Sequence, residues 1–183
     1  MINLYKTMVR PHLEYCVPAW SPHCIKDKLL LEKVQHRFTR LLPGFRSLSY
    51  EERLHQLRLW ALEERRNRAD LIEVFKNGYS SEWDVSYWYI STNSGHSLKL
   101  IKYRCNKDVK KYFFSFRVIS KWNMLDDTTV TVKSVNSFKT KLEMERKMKM
   151  GLFLDWSPLD LEAVTDIWSG RPASILQVYP LCT

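Results

Sequence analysis

No apolar run in this 183-residue chain approaches the roughly 18 to 20 residues that a membrane-spanning helix requires, so a soluble or surface-associated chain is expected. Its five glycines stand apart from one another, which excludes a glycine-rich phosphate loop. Four cysteines, Cys16, Cys24, Cys105 and Cys182, follow no regular spacing. The opening Met-Ile-Asn-Leu-Tyr-Lys is not a secretory signal. A reducing intracellular setting, cytoplasmic or nuclear, is the expectation. No internal repeat, low-complexity tract or zinc-knuckle cluster occurs.

Metal and nucleophile chemistry find little support. His12, Cys16, His23 and Cys24 include suitable zinc donors, but their spacing fits no structural-zinc pattern, and packing is the expected role of Cys16 and His12. Cysteine paired with a distant histidine has no local motif behind it. No catalytic residue, metal, cofactor or small-molecule substrate is therefore expected.

What the chain does contain is apolar and basic. Its 45% hydrophobic and 13% aromatic residues are enough for one packed domain, and its formal charge is +9. Residues 1–78 hold 14 Lys/Arg against 9 Asp/Glu, residues 79–150 hold 14 against 7, and residues 151–183 hold 1 against 4. The acidic end is expected to be a separate, loosely attached tail over 149–183, disordered or carrying one short helix between Leu159 and Trp168.

Helical spacing dominates residues 1–148. Between Lys26 and Leu42, the residues Leu30, Val34, Phe38, Leu41 and Leu42 recur at threes and fours, predicting one buried face. Ser49 and Glu52 have the spacing of a reciprocal cap and predict a helix over 50–57. Residues 61–77 form the longest run of good helix formers, closed by Gly78, with Leu62, Ala69, Ile72 and Phe75 or Val74 inward and Glu63, Glu64, Arg65, Arg66 and Arg68 outward. Periodicity fails from Tyr79 to Lys111, where one or two short strands are expected near Trp88–Ile90 and Leu98–Tyr103. It resumes with Phe113, Phe116, Ile119 and Trp122, and again from Ser134 with Val135, Phe138 and Leu142. Trp20, Trp60, Phe113, Phe116, Trp122 and Phe138 are expected in the core. The predicted fold is mainly α, a small bundle of five to seven helices with an irregular middle.

Two groups of cations are candidates for polyanion contact. Lys99, Lys102, Arg104, Lys107, Lys110 and Lys111 face only Asp108 as a local acid and lie beside His96 and Tyr103, a mixture suited to phosphates and unpaired bases. Arg65, Arg66 and Arg68 form the second group, weighed against an ordinary solvated helix face laced with ion pairs to Glu63 and Glu64.

Several blocks carry a family resemblance. They are Leu-Tyr-Lys-Thr-Met-Val-Arg-Pro-His-Leu-Glu-Tyr-Cys (4–16), Ala-Trp-Ser-Pro-His (19–23), Leu-Glu-Lys-Val-Gln-His-Arg (31–37) and Leu-Ser-Tyr-Glu-Glu-Arg-Leu (48–54). Leu-Glu-Glu-Arg-Arg, Asp-Leu-Ile-Glu-Val-Phe-Lys, Ser-Gly-His-Ser-Leu-Lys-Leu, Phe-Phe-Ser-Phe-Arg-Val-Ile-Ser-Lys-Trp-Asn and Ser-Val-Asn-Ser-Phe-Lys-Thr-Lys-Leu follow in order. Together they resemble the region after the palm in non-LTR retrotransposon polymerases of LINE type, in the chicken-repeat and jockey groups.

The resemblance implies a helical region that helps to grip primer-template and element RNA. It also implies that the metal-binding aspartates belong to an aromatic-Ala-Asp-Asp hairpin ahead of residue 1, with two cations held within about 4 Å of each other. Asp126-Asp127 is the nearest imitation, and a solvated loop is its expected setting. A non-catalytic remnant with nonspecific RNA or DNA binding is the leading expectation, and a helical protein-interaction module or inert translated fragment is the alternative.

Overall fold

The computed structural model describes residues 1–79, 89–90, 96, 98–102, 104 and 106–148. The expected short helix between Leu159 and Trp168, and Tyr103, lie outside the described residues. The chain opens with α1 (Ile2–Leu4), a π-helical stretch (Tyr5–Val9) and α2 (Arg10–Glu14). Pro11 has no N–H to donate back along the helix, and the turn ahead of it is the one that widens. Cys16, at φ 50°, turns the chain into α3 (Val17–Trp20).

Three longer helices follow: α4 (Ile25–Leu41), α5 (Tyr50–Leu57) and α6 (Leu62–Tyr79). The predicted cap of α5 is present, with Glu52 N–H donating to Ser49 Oγ at 3.3 Å and Ser49 N–H donating to Glu52 Oε2 at 2.8 Å. α6 runs one residue past Gly78 rather than stopping before it. Two short strands pair antiparallel, β1 (Tyr89–Ile90) with β2 (Lys99–Leu100), in the register Tyr89 opposite Leu100. Then come α7 (Asp108–Lys111), α8 (Phe114–Asn123), α9 (Asp127–Val130) and α10 (Val135–Met148). Among the described residues, five helices have eight residues or more, so the fold is the mainly α bundle the spacing predicts.

The two halves of α6 are buried by different means. Its C-terminal half supplies Leu71, Ile72, Val74 and Phe75 to an apolar core shared with Val118, Ile119 and Trp122 of α8 and Phe138 and Leu142 of α10. Phe75 and Phe138 stack at 4.3 Å between ring centres. The N-terminal half lies instead among hydrogen bonds and ion pairs. Of the expected outward face, Glu63, Glu64 and Arg66 are inside and Arg65 and Arg68 half-buried, and Asn67 and Asp70 beside them are buried as well.

Burial of those charges works because each carboxylate meets a cation from elsewhere in the chain. Lys28 Nζ is 2.6 Å from Glu63, Arg146 grips Glu64 through Nε and Nη2 at 3.1 and 2.8 Å, and Arg117 grips Asp70 at 2.8 and 3.0 Å. Arg117 Nη2 also donates to the carbonyls of Val17 and Pro18 at 3.1 and 3.2 Å, tying α3, α6 and α8 together.

The orientation of α4 corrects the periodicity reading in part: Leu42 is buried and Phe38 stacks on Tyr5 at 4.4 Å between ring centres, but the other three residues of the predicted face are outside. Leu30, Val34 and Leu41 are 55%, 39% and 73% exposed, while Glu32, Gln35 and Thr39 on the opposite side are buried. Gln35 accepts from Tyr5 Oη at 2.7 Å and donates to Tyr50 Oη and to the Trp60 carbonyl, both at 3.0 Å. Glu32 accepts from Tyr50 Oη and, at 2.9 Å, from the Leu62 N–H that opens α6. A polar network satisfied on every side outcompetes the apolar stripe for the interior. Burial, opposed by the Tyr50 hydrogen bond, raises the Glu32 carboxyl to about 7.

Candidate nucleic-acid interface

His96, Leu98, Leu100 and Lys102 are positioned by α8. His96 is buried, with Nδ1 accepting from Leu98 N–H at 3.2 Å, which leaves Nε2 as the donor to the Trp122 carbonyl at 3.0 Å. Trp122 Nε1 donates to the Leu98 carbonyl at 2.7 Å. Asn123 brackets Leu100, accepting from its N–H and donating to its carbonyl, each at 2.9 Å. His96, read as a neighbour of the basic cluster, is therefore part of the clamp that holds the cluster in place.

From that clamp the segment runs back along α8. Leu100 is fixed at Asn123, Lys102 Nζ donates to Ser120 Oγ at 2.8 Å, and Lys110 Nζ stands 5.3 Å from the Phe116 ring centre. Lys102 at Ser120 and Lys110 at Phe116 are thus held about one turn apart along α8, roughly 6 Å at the helical rise. Lys102, Arg104, Lys107, Lys110 and Lys111 are exposed, and Lys99 in β2 is half-buried.

Aromatic surface lies at the far end of the strip. Phe113 and Tyr112 are 58% and 36% exposed. Tyr112 stacks on His23 at 4.2 Å, and Lys111 Nζ is 5.3 Å from the Tyr112 ring. Phe113 and Trp20, expected in the core, are on the surface instead, because Arg117 occupies the space between α3 and α8. Cys16 and His12 are exposed as well and do not pack inside. Trp122 and Phe138 are buried as expected.

The Arg65 group does not join this strip. Arg65 forms a salt bridge with Glu14, its Nη2 reaching Oε2 at 2.8 Å. Arg66 is only 2% exposed and out of reach of a polyanion, and neither of its Nη atoms has a hydrogen-bond partner. Burial pushes its guanidinium below the usual value, opposed by the nearby charges of Glu32, Glu63, Glu14 and Asp70. Arg68 lies 5.3 Å over the Trp60 ring.

Arg65 and Arg68 instead border a second basic feature, a cleft of about 250 Å³ that also takes Lys6, Arg10 and Arg58 as lining residues, with Glu143 as its acid. Sequence reasoning missed it, since no local motif joins positions 6, 10, 58, 65 and 68. Asp126 and Asp127 are exposed at the start of the one-turn helix α9. No group of three or more His, Cys, Asp or Glu side chains suited to a metal occurs among the described residues. No helix of the described residues is long and apolar enough to cross a membrane. Comparison with protein-family models, with curated proteins and with solved structures gave no match for this chain.

Proposed function

We propose that this chain is a non-catalytic, post-palm piece of a LINE-type RNA-directed DNA polymerase that holds single-stranded RNA or DNA without sequence preference. The observation that carries this reading is the strip of exposed Lys102, Arg104, Lys107, Lys110 and Lys111 ending at exposed Tyr112 and Phe113. Ammonium and guanidinium groups neutralise phosphates and release counterions, while exposed rings stack on unpaired bases of any identity.

Fluorescence anisotropy with a short single-stranded RNA across a salt series tests the reading. Affinity is expected to fall linearly on logarithmic axes, and changing Lys102, Lys107, Lys110 and Lys111 together to Gln should flatten the slope by up to about 3, at about 0.7 per lost phosphate contact. Absence of binding at low salt, or a slope that ignores the four substitutions, overturns it. Nucleotide incorporation is expected to be absent with or without Asp127→Asn.

A helical protein-interaction module is the second reading, favoured by the exposed stripe of Leu30, Val34 and Leu41 beside Lys26, Arg37 and Arg40 on α4. Such a face suits an acidic amphipathic helix. Titration with a synthetic peptide of residues 151–170, which holds Asp155, Asp160, Glu162 and Asp166, separates the readings. Binding lost in Leu30→Asp/Val34→Asp while RNA affinity persists supports the second one.

A further inference from the structure

The cleft between the N-terminal helix, the end of α5 and α6 gathers five cations and one acid: Lys6, Arg10, Arg58, Arg65, Arg68 and Glu143. The positions follow from helical geometry. Lys6 and Arg10 are one turn apart, Arg65 and Arg68 share a face of α6, and Arg58 is thrown toward the opening by its left-handed backbone, φ 50° and ψ 45°, at the end of α5. Glu14 answers part of this charge, pairing with Arg65 and lying 3.8 Å from Arg10. Among the described residues, no carboxylate comes within salt-bridge distance of Lys6, Arg58 or Arg68. Arg68 Nε is closed to solvent and has no hydrogen-bond acceptor.

That N–H is as closed to a phosphate oxygen as to water, so a ligand in the cleft would meet Arg68 through the terminal nitrogens of its guanidinium. The Trp60 ring, with Arg68 at 5.3 Å and Arg146 at 4.4 Å, fixes the arginine in place. Burial, and after it the neighbouring charge of Arg65, push the Arg68 guanidinium down, opposed by the charges of Glu143 and Glu14. The volume falls below the roughly 300 to 1,000 Å³ of pockets for drug-sized ligands, which suits a small anion.

We propose that this cleft is a binding site for a phosphate monoester, a dianion whose oxygens match the forked donors of Arg58 and Arg68 with Lys6 as a further cation. Arginine meets phosphate oxygens bidentately, which a single-charged halide cannot exploit. The site is separate from the α8 strip and does not rest on the polymerase reading. The phosphate has two sources, free in solution or at the end of a polynucleotide strand.

Titration of the full chain at low salt, followed by the arginine Nε–H resonances of Arg58 and Arg68, tests the proposal with three probes. They are inorganic phosphate, a 5′-phosphorylated tetranucleotide and the same tetranucleotide with a 5′-hydroxyl. Inorganic phosphate should shift both resonances saturably, and chloride at equal ionic strength should not. If strand ends are the source, the phosphorylated tetranucleotide binds tighter than both other probes; if free phosphate is, the two phosphate-bearing probes bind alike.

Arg68→Gln should weaken phosphate binding about tenfold or more, as for loss of a hydrogen bond to a charged group. Glu143→Gln should strengthen it about two- to fivefold by removing the opposing charge. The exposed Glu143 change keeps the test decisive should Arg68→Gln loosen its contact with Trp60. Phosphate binding that is absent, matched by chloride or weakened by Glu143→Gln overturns the proposal. Replacing Lys102, Lys107, Lys110 and Lys111 with Gln should leave it intact, so failure of the strip and failure of the cleft are read separately.

Discussion

On α6, Arg65 is held by Glu14 and Arg66 is sealed under the surface, whereas along α8 five of the six cations between Lys99 and Lys111 stand in solvent. Both regions are rich in basic residues with aromatics nearby. What separates them is the acids. The first half of α6 brings Glu63, Glu64 and Asp70 with it, and each recruits a distant cation, Lys28, Arg146 or Arg117. In the α8 strip, Lys102 rests on a hydroxyl and Lys110 and Lys111 lie beside aromatic rings. Positive charge thus holds the bundle together in one place and faces solvent in the other.

The largest effect should come from breaking the α6 side of this contrast. Asp70→Ala removes the carboxylate that Arg117 grips with two bonds, leaving a mostly buried guanidinium without its counter-charge. Loss of one member of such a pair costs about 3 to 5 kcal/mol, seen as a lower urea midpoint with the slope unchanged. Lys107→Ala, in the strip, should stay within about 0.5 kcal/mol. Equal costs for the two changes would erase the distinction.

Next in size is the buried carboxyl beside the start of α6. Glu32 titrates near 7 in the fold because burial disfavours its charge. The folded chain then keeps a proton that the unfolded chain releases, so this group lowers stability as pH rises from about 4.5 to 7, by on the order of 3 kcal/mol. His36 acts in the opposite sense. Burial, helped by Arg53 and Arg40, lowers it to about 4, so it lowers stability as pH falls from about 6.5 to 4. Denaturation at a series of pH values should show Glu32→Gln becoming more stable relative to the parent as pH rises through this window. Parallel curves for parent and variant would remove Glu32 as the source.

How much of this was legible in the sequence depended on the range of the interaction. The α5 cap needs only Ser49 and Glu52, three residues apart, and was readable. The faces of α6, α8 and α10 that form the apolar core were readable through Ile72, Phe75, Ile119, Trp122, Phe138 and Leu142. Periodicity failed on α4, where Gln35 goes inward for partners 15 to 30 residues away and Leu30, Val34 and Leu41 are left outside. It failed again for Glu63 and Glu64, whose burial depends on ion pairs between separate helices, and for Arg66, which is buried with no hydrogen-bond partner on either Nη. Composition marked the Lys99–Lys111 cations, but no local signal could join Lys6, Arg58 and Arg68 into a cleft.

A smaller effect should separate stacking from charge within the strip. Phe113→Ala removes a ring that is 58% exposed, so stability should move by less than about 0.5 kcal/mol. Single-stranded RNA affinity should fall by about 1 to 3 kcal/mol if a base stacks there. The salt slope should not change, because no cation is lost. A fall in slope instead of in salt-independent affinity would assign the contact to the lysines alone.

The smallest effect concerns Arg58, a cation between the two regimes, exposed yet placed by strained backbone. A non-glycine residue in the left-handed region costs about 1 to 2 kcal/mol, and Arg58 sits there at φ 50° to close α5. Arg58→Gly relieves that strain but adds about 0.5 to 1 kcal/mol of chain entropy to the unfolded state. The net gain should be under about 1 kcal/mol, measured as a higher urea midpoint. Phosphate affinity at the cleft should fall in the same variant. Opposite movement of the two readouts means that the side chain serves the cleft by its charge and adds nothing to the bundle. A loss of stability would instead place Arg58 with Arg65 and Arg117, among the cations that the fold itself consumes.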